Sequence, residues 1–213
     1  MASSRVEPDT FGAAAALERM VFFSDAVFAI AMTLLVLNIP HPAPGQNVAA
    51  FLTTQDGKFV AFFISFWVIA LFWMGHHRLF RFVREYDHGL IMLNLALLFC
   101  IAFLPYPSAI LGDHPADVGA TVFYAAAISV TGFASASLTW YTVIHRHFTG
   151  PLHPAMARYY VFRGLAAPLV FLLSIPLAFV NTTAAQASWY LLFVLQFVGR
   201  RIAERRAGVD RSR

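Results

Sequence analysis

The chain is poor in charged residues and in cysteine. Of its 213 residues, 12% are charged and 59% are hydrophobic, whereas a soluble domain has about 25% and about 45–50%. So little polar material excludes both a soluble enzyme and a disordered chain. The one cysteine, Cys100, excludes an intrachain disulfide and a thiolate metal cluster. The composition therefore predicts an all-α integral membrane protein.

Several functional motifs are also missing. The chain has no His-Glu-x-x-His zinc motif and no Gly-x-Ser-x-Gly nucleophile motif. Its eight histidines show no metal-ligand spacing. The net charge of +4 is distributed between apolar stretches, so it forms no exposed basic face of the kind that binds nucleic acid. We therefore expect no enzyme, no cofactor, no bound metal and no nucleic-acid partner.

The apolar stretches predict six membrane-spanning helices, because a span needs about 20 mostly apolar residues. The last apolar block, 164–199, is too long for one straight span, and the polar triplet Asn181-Thr182-Thr183 divides it. A single domain, 1–213, would then contain six helices at about 17–39, 59–83, 88–112, 117–145, 163–180 and 184–203.

The basic residues provide an independent check of this count. With six spans, all 14 arginines fall on one side and the only lysine, Lys58, falls on the other. The positive-inside rule then predicts that both termini, including a short basic C-terminal tail, are cytoplasmic. The preference for arginine over lysine indicates a GC-rich bacterial genome, so we expect a multi-pass protein of the bacterial plasma membrane.

The first predicted helix combines an apolar stripe with an acid. At 100° per residue, Ile30, Leu34 and Leu37 lie within about 60° of one another, and Thr33 borders the same stripe. Such stripes are common packing seams in membrane helices. Asp25, however, projects about 140° from Ile30, and an acid at this depth needs partners within the protein. Both faces of the helix should therefore meet protein or water, which is typical of a helix at the centre of an assembly.

The same helix carries a motif. Arg19, three further residues, Phe23-Ser24-Asp25 and the apolar run to Leu37 resemble the Arg-x-x-x-Phe-Ser-Asp signature of the transmembrane protein 175 family of potassium channels. Other segments agree with this resemblance, namely Trp73, His76-His77, Asn94 and Phe103-Leu104-Pro105-Tyr106-Pro107. A single six-helix unit resembles the bacterial members of the family, which are homotetramers.

The resemblance implies a potassium-selective homotetramer in the lipid bilayer, with four copies of the first helix lining a central pore. It implies a hydrophobic constriction, in place of the absent Thr-Val-Gly-Tyr-Gly filter, formed by Ile30, Thr33, Leu34 and Leu37. It also implies a polar network that holds the pore helices together, formed by Arg19, Phe23, Ser24, Asp25 and His77. Whether His76 or His77 joins that network is left open by the sequence.

A second hypothesis comes from a different functional class. A secondary or proton-coupled transporter could use Asp25 and His77 as its titrating groups. A transporter needs a polar cavity of substrate size and coupling to an ion gradient. The channel needs only the apolar stripe on a symmetry axis, along which potassium ions pass.

Overall fold

The computed structural model describes residues 10–145 and 154–192. Within these residues the chain forms eight α-helices. They are α1 (Thr10–Leu34), which continues as a 3-10 turn over Leu35–Asn38, α2 (Val48–Thr53), α3 (Asp56–Phe80), α4 (His88–Phe103), α5 (Pro105–Asp113), α6 (Val118–Ile144), α7 (Pro154–Ala178) and α8 (Thr182–Ser188).

Within residues 10–145 and 154–192, four helical segments are long and apolar enough to cross a bilayer. They are Ala14–Asn38, Asp56–Phe80, His88–Asp113 and Val118–Ile144, and Gly164–Ala178 is a shorter apolar helix. The prediction of an all-α membrane protein is confirmed. The first residues of the sixth predicted helix, 184–203, overlap with α8. From residue 193 onward this predicted helix lies outside the described residues.

Asparagine and aspartate side chains fix where several helices begin. Asp87 accepts a hydrogen bond from the backbone N–H of Leu90 at the start of α4, and Asp117 accepts one from Ala120 at the start of α6. Asn181 does the same for Ala184 at the start of α8. Each side chain satisfies a backbone donor that the first turn of a helix leaves without a partner. The polar triplet at 181–183 therefore separates α7 from α8 because its first residue, Asn181, caps the start of a new helix.

The third predicted span, 88–112, is interrupted. α4 ends at Phe103, and α5 begins at Pro105. Prolines at 105 and 107 lack a backbone N–H and cannot donate to the preceding turn. The break leaves helix on both sides, and His88–Asp113 is still long and apolar enough to cross a bilayer as one interrupted span.

α6 and α7 form the most extensive helix pair among the described residues. Their backbones approach closely at Gly132, where an added Cβ would lie 2.6 Å from Cδ of Pro168. Nearby, the ring of Trp189 stacks on Phe171 at 5.1 Å and lies 5.1 Å from Tyr124. The indole N–H of Trp189 donates to Ser174 Oγ at 2.8 Å. These contacts attach the segment after α8 to α6 and α7.

Two of the other long helices pack against α1. α1 packs against α3 and α4, while α3 packs on α5, and α4 on α6. Between α3, α5 and α6 the hydroxyl of Ser65 bonds two others, with its Oγ 2.7 Å from Ser108 Oγ and 2.9 Å from the Tyr124 hydroxyl. Buried hydroxyls paired in this way make the helix contacts directional, because an unpaired group at this depth would be costly. The packing of α1 on α3 and α4 fixes one face of α1 in the subunit.

Candidate functional site

α1 has one buried and one exposed face. Phe28, Ala31 and Leu35 are each 1% exposed and pack against the rest of the subunit. On the opposite side, Ile30 is 58% exposed, Leu34 is 42% exposed and Leu37 is 74% exposed. At 100° per residue the mean directions of the two sets lie about 130° apart. The predicted stripe is thus an apolar surface that the single subunit does not cover.

Thr33 lies in the same exposed stripe. Its Oγ1 donates to the carbonyl of Ile30 at 2.9 Å. This bond uses the hydroxyl proton and leaves the oxygen lone pairs directed away from the backbone. The side chain therefore presents an acceptor, rather than a donor, on the exposed face of α1.

A chain of hydrogen bonds joins the buried face of α1 to α3 and α4. Ser24 Oγ donates to the Met20 carbonyl at 2.8 Å and accepts from Asn94 Nδ2 at 2.9 Å. Asn94 Oδ1 lies 2.9 Å from His76 Nε2. Since the amide nitrogen of Asn94 is a donor to Ser24, its oxygen is the acceptor, and the network assigns the proton of His76 to Nε2. All three side chains are buried.

His76 closes this chain in an apolar environment. Its ring lies 5.5 Å from Phe28 and 4.4 Å from Phe80, measured between ring centroids. Nδ1 has no hydrogen-bond partner among the described residues. The imidazole therefore serves as a packed, directional contact between α1, α3 and α4.

Asp25 and His77 belong to a second, more exposed group. Trp73 Nε1 donates to Asp25 Oδ1 at 2.8 Å, and the Trp73 ring lies 5.5 Å from the ring of His77. His77 thus reaches Asp25 only through Trp73 among the described residues. The two adjacent histidines point in different directions on α3, one into the core and one outward.

The two remaining predicted residues lie on the exposed side of α1. Phe23 is exposed, and so is Arg19. Arg19 and Asp25 are six positions apart, so their side chains project about 120° apart on one helix. Among the described residues of a single chain, the structure brings Ser24 and Asp25 to partners on neighbouring helices and leaves Arg19 and Phe23 on the uncovered surface.

Three side chains that complete these contacts had no role deducible from spacing. Asn94 bonds Ser24, His76 bonds Asn94 in turn, and Trp73 bonds Asp25. The sequence offers one signal for such contacts, namely a polar side chain in an otherwise apolar helix. That signal predicts that the side chain has a partner within the protein, but it does not identify the partner.

A cavity of about 70 Å³ lies beside His76, between α3, α4, α6 and α7. Its wall includes Gly75, Arg78, Ser135 and Gly164, and the remainder is mostly apolar. Sites for small-molecule substrates have volumes of about 300–1,000 Å³. This cavity is therefore of the size of a few water molecules rather than of a substrate. The described residues contain no group of three or more metal-ligating side chains.

Comparison with known proteins gives consistent matches. The family profile described as endosomal/lysosomal potassium channel TMEM175 matches residues 19–105. A potassium channel of Streptomyces collinus is 35% identical over 182 residues, which cover 82% of this chain and 88% of that protein. The human endosomal/lysosomal proton channel TMEM175 is 30% identical over 141 residues, or 63% of this chain and 27% of that protein.

Among solved structures, a lysosomal potassium-selective channel TMEM175 homolog from Chamaesiphon minutus superimposes with a TM-score of 0.71. It is 28% identical, and the match covers 89% of this chain and 98% of that one. The segment matched by the family profile contains the exposed stripe of α1 and both groups of polar contacts.

Proposed function

Because the chain belongs to the TMEM175 family, we propose that it is a potassium-selective channel in which four copies of α1 surround a central pore. The observation that carries this proposal is the exposed stripe of Ile30, Leu34 and Leu37 on a helix whose other face is buried. A single subunit leaves this apolar surface open, and symmetric packing of four subunits would turn it toward an axis. The protein is a channel and not an enzyme, and we propose that it needs no cofactor.

The stripe would act as a hydrophobic constriction. Four copies of each side chain form a narrow apolar ring, and such rings can control conduction by excluding water. An ion that enters must lose part of its hydration shell. The Thr33 oxygen, whose proton is used by the Ile30 carbonyl, could replace part of that shell and favour the more easily dehydrated potassium ion.

The exposed polar residues of α1 would hold neighbouring subunits together. A carboxylate has room for about four hydrogen bonds, and Asp25 accepts one from Trp73 within its own chain. Arg19 is exposed and points away from Asp25 of the same helix. We infer that Arg19 pairs with Asp25 of a neighbouring subunit, and that Phe23 packs in the same contact, while Ser24 fixes α1 within its own subunit.

The topology follows from the same proposal. Each subunit has six spans, the last formed by 184–203, and both termini lie in the cytoplasm of a bacterial cell whose plasma membrane holds the tetramer. Lys58, paired with Asp113 near the ends of α3 and α5, would then face the outside.

A transporter is the second candidate, because an acid and an imidazole, Asp25 and His77, both contact Trp73. The size of the cavity beside His76 favours the channel, since about 70 Å³ is too small for most substrates. The contact of His77 with Trp73 is also a packing contact, which does not require proton exchange.

The pore assignment is tested by Ile30→Asn in purified protein reconstituted into liposomes. If Ile30 faces the pore axis, the asparagine amide lets water enter the ring formed by the four copies, because a polar side chain removes the dewetting barrier. We expect sodium flux to rise, discrimination between potassium and sodium to fall, and the tetramer to elute unchanged from size-exclusion chromatography.

The matched control is Val130→Asn, which places the same side chain at a 59% exposed position on α6. It should leave ion selectivity unchanged. If Ile30→Asn dissociates the tetramer and leaves selectivity unaltered, Ile30 packs between helices and α1 is not the pore lining.

A further inference from the structure

The end of α1 changes its winding where the proposed constriction lies. Leu35–Asn38 form a 3-10 turn, and the bond from the Ile39 N–H to the Val36 carbonyl, at 3.1 Å, extends the same pattern. A 3-10 helix has 3.0 residues per turn, so side chains at positions i and i+3 eclipse each other. An α-helix would instead rotate them about 60° apart.

This winding aligns two pairs of side chains on opposite faces. Leu34 and Leu37 come into line on the exposed face, which is the face proposed to line the pore. Leu35 and Asn38 come into line on the face that packs against α3 and α5. Leu35 is fully buried, so the inner face of the turn is anchored by one apolar residue and one amide.

The amide of Asn38 bonds outside its own helix. Its Nδ2 donates to the carbonyl of Pro105 at 3.3 Å. Pro105 is the first residue of α5, next to the break that follows α4. Asn38 therefore connects the end of α1 to an element distant in sequence, whereas Asn47 and Asn181 use their side chains to cap the helices that follow them.

We propose that Asn38 is a positioning residue, which holds the end of α1 in its 3-10 winding and so keeps Leu34 and Leu37 aligned at the constriction. The proposal rests on the function proposed above, because it assumes that these leucines face the pore. Without the bond to Pro105, the last turn can relax toward α-helical winding. Leu37 then turns about 60° from the line of Leu34, and the ring that it forms widens.

The test compares Asn38→Asp with Asn47→Asp in reconstituted tetramers. The aspartate at position 38 loses the donor and places a carboxylate against a carbonyl oxygen. A hydrogen bond of this kind shifts an equilibrium by about two- to tenfold, and we expect sodium flux relative to potassium to rise by about that factor. Asn47 caps α2 in the same connection, and the same substitution there keeps the cap and should leave the flux ratio unchanged.

A double substitution separates positioning from general stability. In a Leu37→Ala background there is no leucine ring for Asn38 to align. Adding Asn38→Asp should then change the flux ratio by much less than it does in the wild type. Independent effects, which multiply in the double variant, would overturn the proposal. Should Asn38→Asp fail to assemble, Asn38→Leu, which is similar in size and lacks the donor, decides the question by the same criteria.

The outcomes distinguish the two proposals. A wild-type protein that passes potassium and sodium equally would overturn the proposed function. A selective wild type with an Asn38→Asp variant of unchanged flux ratio would overturn only the role of Asn38.

Discussion

At the scale of single residues, the buried Ser24 of α1 bonds both the Met20 carbonyl of its own helix and a side chain on another helix. Ser24 bonds Asn94, and Asn94 bonds His76. Removing the central residue of such a chain should cost more than removing a terminal one, because it leaves two groups without their partner. The chain therefore gives a direct measure of how firmly α1 is held in the subunit.

Replacing Asn94 by leucine, which is similar in volume, should destabilise the protein. The N–H of His76 Nε2 loses its acceptor in a buried site, and an orphaned buried donor costs about 1–3 kcal/mol. We expect a lower midpoint of thermal unfolding in detergent. Met92→Leu, at a 52% exposed position on the same helix, is the control and should unfold like the wild type. Equal midpoints for all three proteins would mean that the chain of bonds does not stabilise the fold.

Asp25 tests the contact between subunits. Asp25→Asn keeps an acceptor for Trp73. It removes the negative charge that we propose to pair with Arg19 of a neighbouring subunit. Breaking a fully buried ion pair on one side costs about 3–5 kcal/mol, so we expect the tetramer to dissociate in size-exclusion chromatography. Asp56→Asn makes the same change at an exposed site at the start of α3 and should leave the tetramer intact. An intact Asp25→Asn tetramer with normal flux would show that the charge is dispensable.

The sequence identified these residues only in part, and the reason is geometric. Ser24 and Asp25 attract notice because polar atoms are costly in an apolar helix. Which of two adjacent histidines faces them depends on the rotation of α3 about its axis, and an almost uniformly apolar helix gives little indication of that rotation. His76, rather than His77, bonds Asn94 because the packing of α3 against α1 turns position 76 inward.

At the scale of helices, small residues determine how closely two spans pack. Gly132 faces the ring of Pro168, whereas Gly75 faces open space, with no atom within 4 Å of an added Cβ. The two glycines are therefore a matched pair. One is required by its surroundings, and the other is not.

Gly132→Ala should destabilise the α6–α7 pair. The new methyl would lie 2.6–3.0 Å from three atoms of the rigid Pro168 ring, and overpacking of this kind costs about 1–3 kcal/mol. Gly75→Ala meets no atom and should be neutral or stabilise α3 by up to about 1 kcal/mol through its helix propensity. Thermal unfolding of the two variants in one detergent compares them. If Gly132→Ala is as stable as Gly75→Ala, α6 and α7 do not depend on this close approach.

The lengths of the helices could be predicted better than their interruptions. Apolar length alone located the four long spans of the described residues, because the bilayer thickness sets the length that a span needs. The break at Leu104 has its signal in the prolines that follow. The 3-10 winding at Leu35–Asn38 has no comparable signal, since it depends on a bond between Asn38 and a carbonyl that is 67 positions away in the sequence.

At the scale of the whole molecule, a single subunit leaves the stripe of α1 uncovered, together with apolar side chains on its other helices. Lipid can cover apolar residues on the outer helices. A helix that is buried on one face and carries Arg19 and Asp25 on others needs protein or water around it, because charges in the hydrocarbon are costly. The composition predicts the membrane location, while the number of subunits follows only from the family resemblance and stays a prediction.

The last prediction separates passive conduction from coupled exchange. Liposomes loaded with potassium and diluted into a sodium buffer contain a pH-sensitive dye that loses fluorescence as protons enter. In a channel, potassium leaves until the membrane potential stops it, and protons follow only when a protonophore is added. A carrier that exchanges potassium for protons acidifies the lumen before that addition. We expect quenching only after the protonophore, and the same result for His77→Gln, because His77 is exposed and contacts Trp73 rather than the buried chain of bonds. If the dye is quenched before the protonophore is added, and His77→Gln abolishes that early quenching, the result would contradict the channel. It would favour proton-coupled transport through Asp25 and His77.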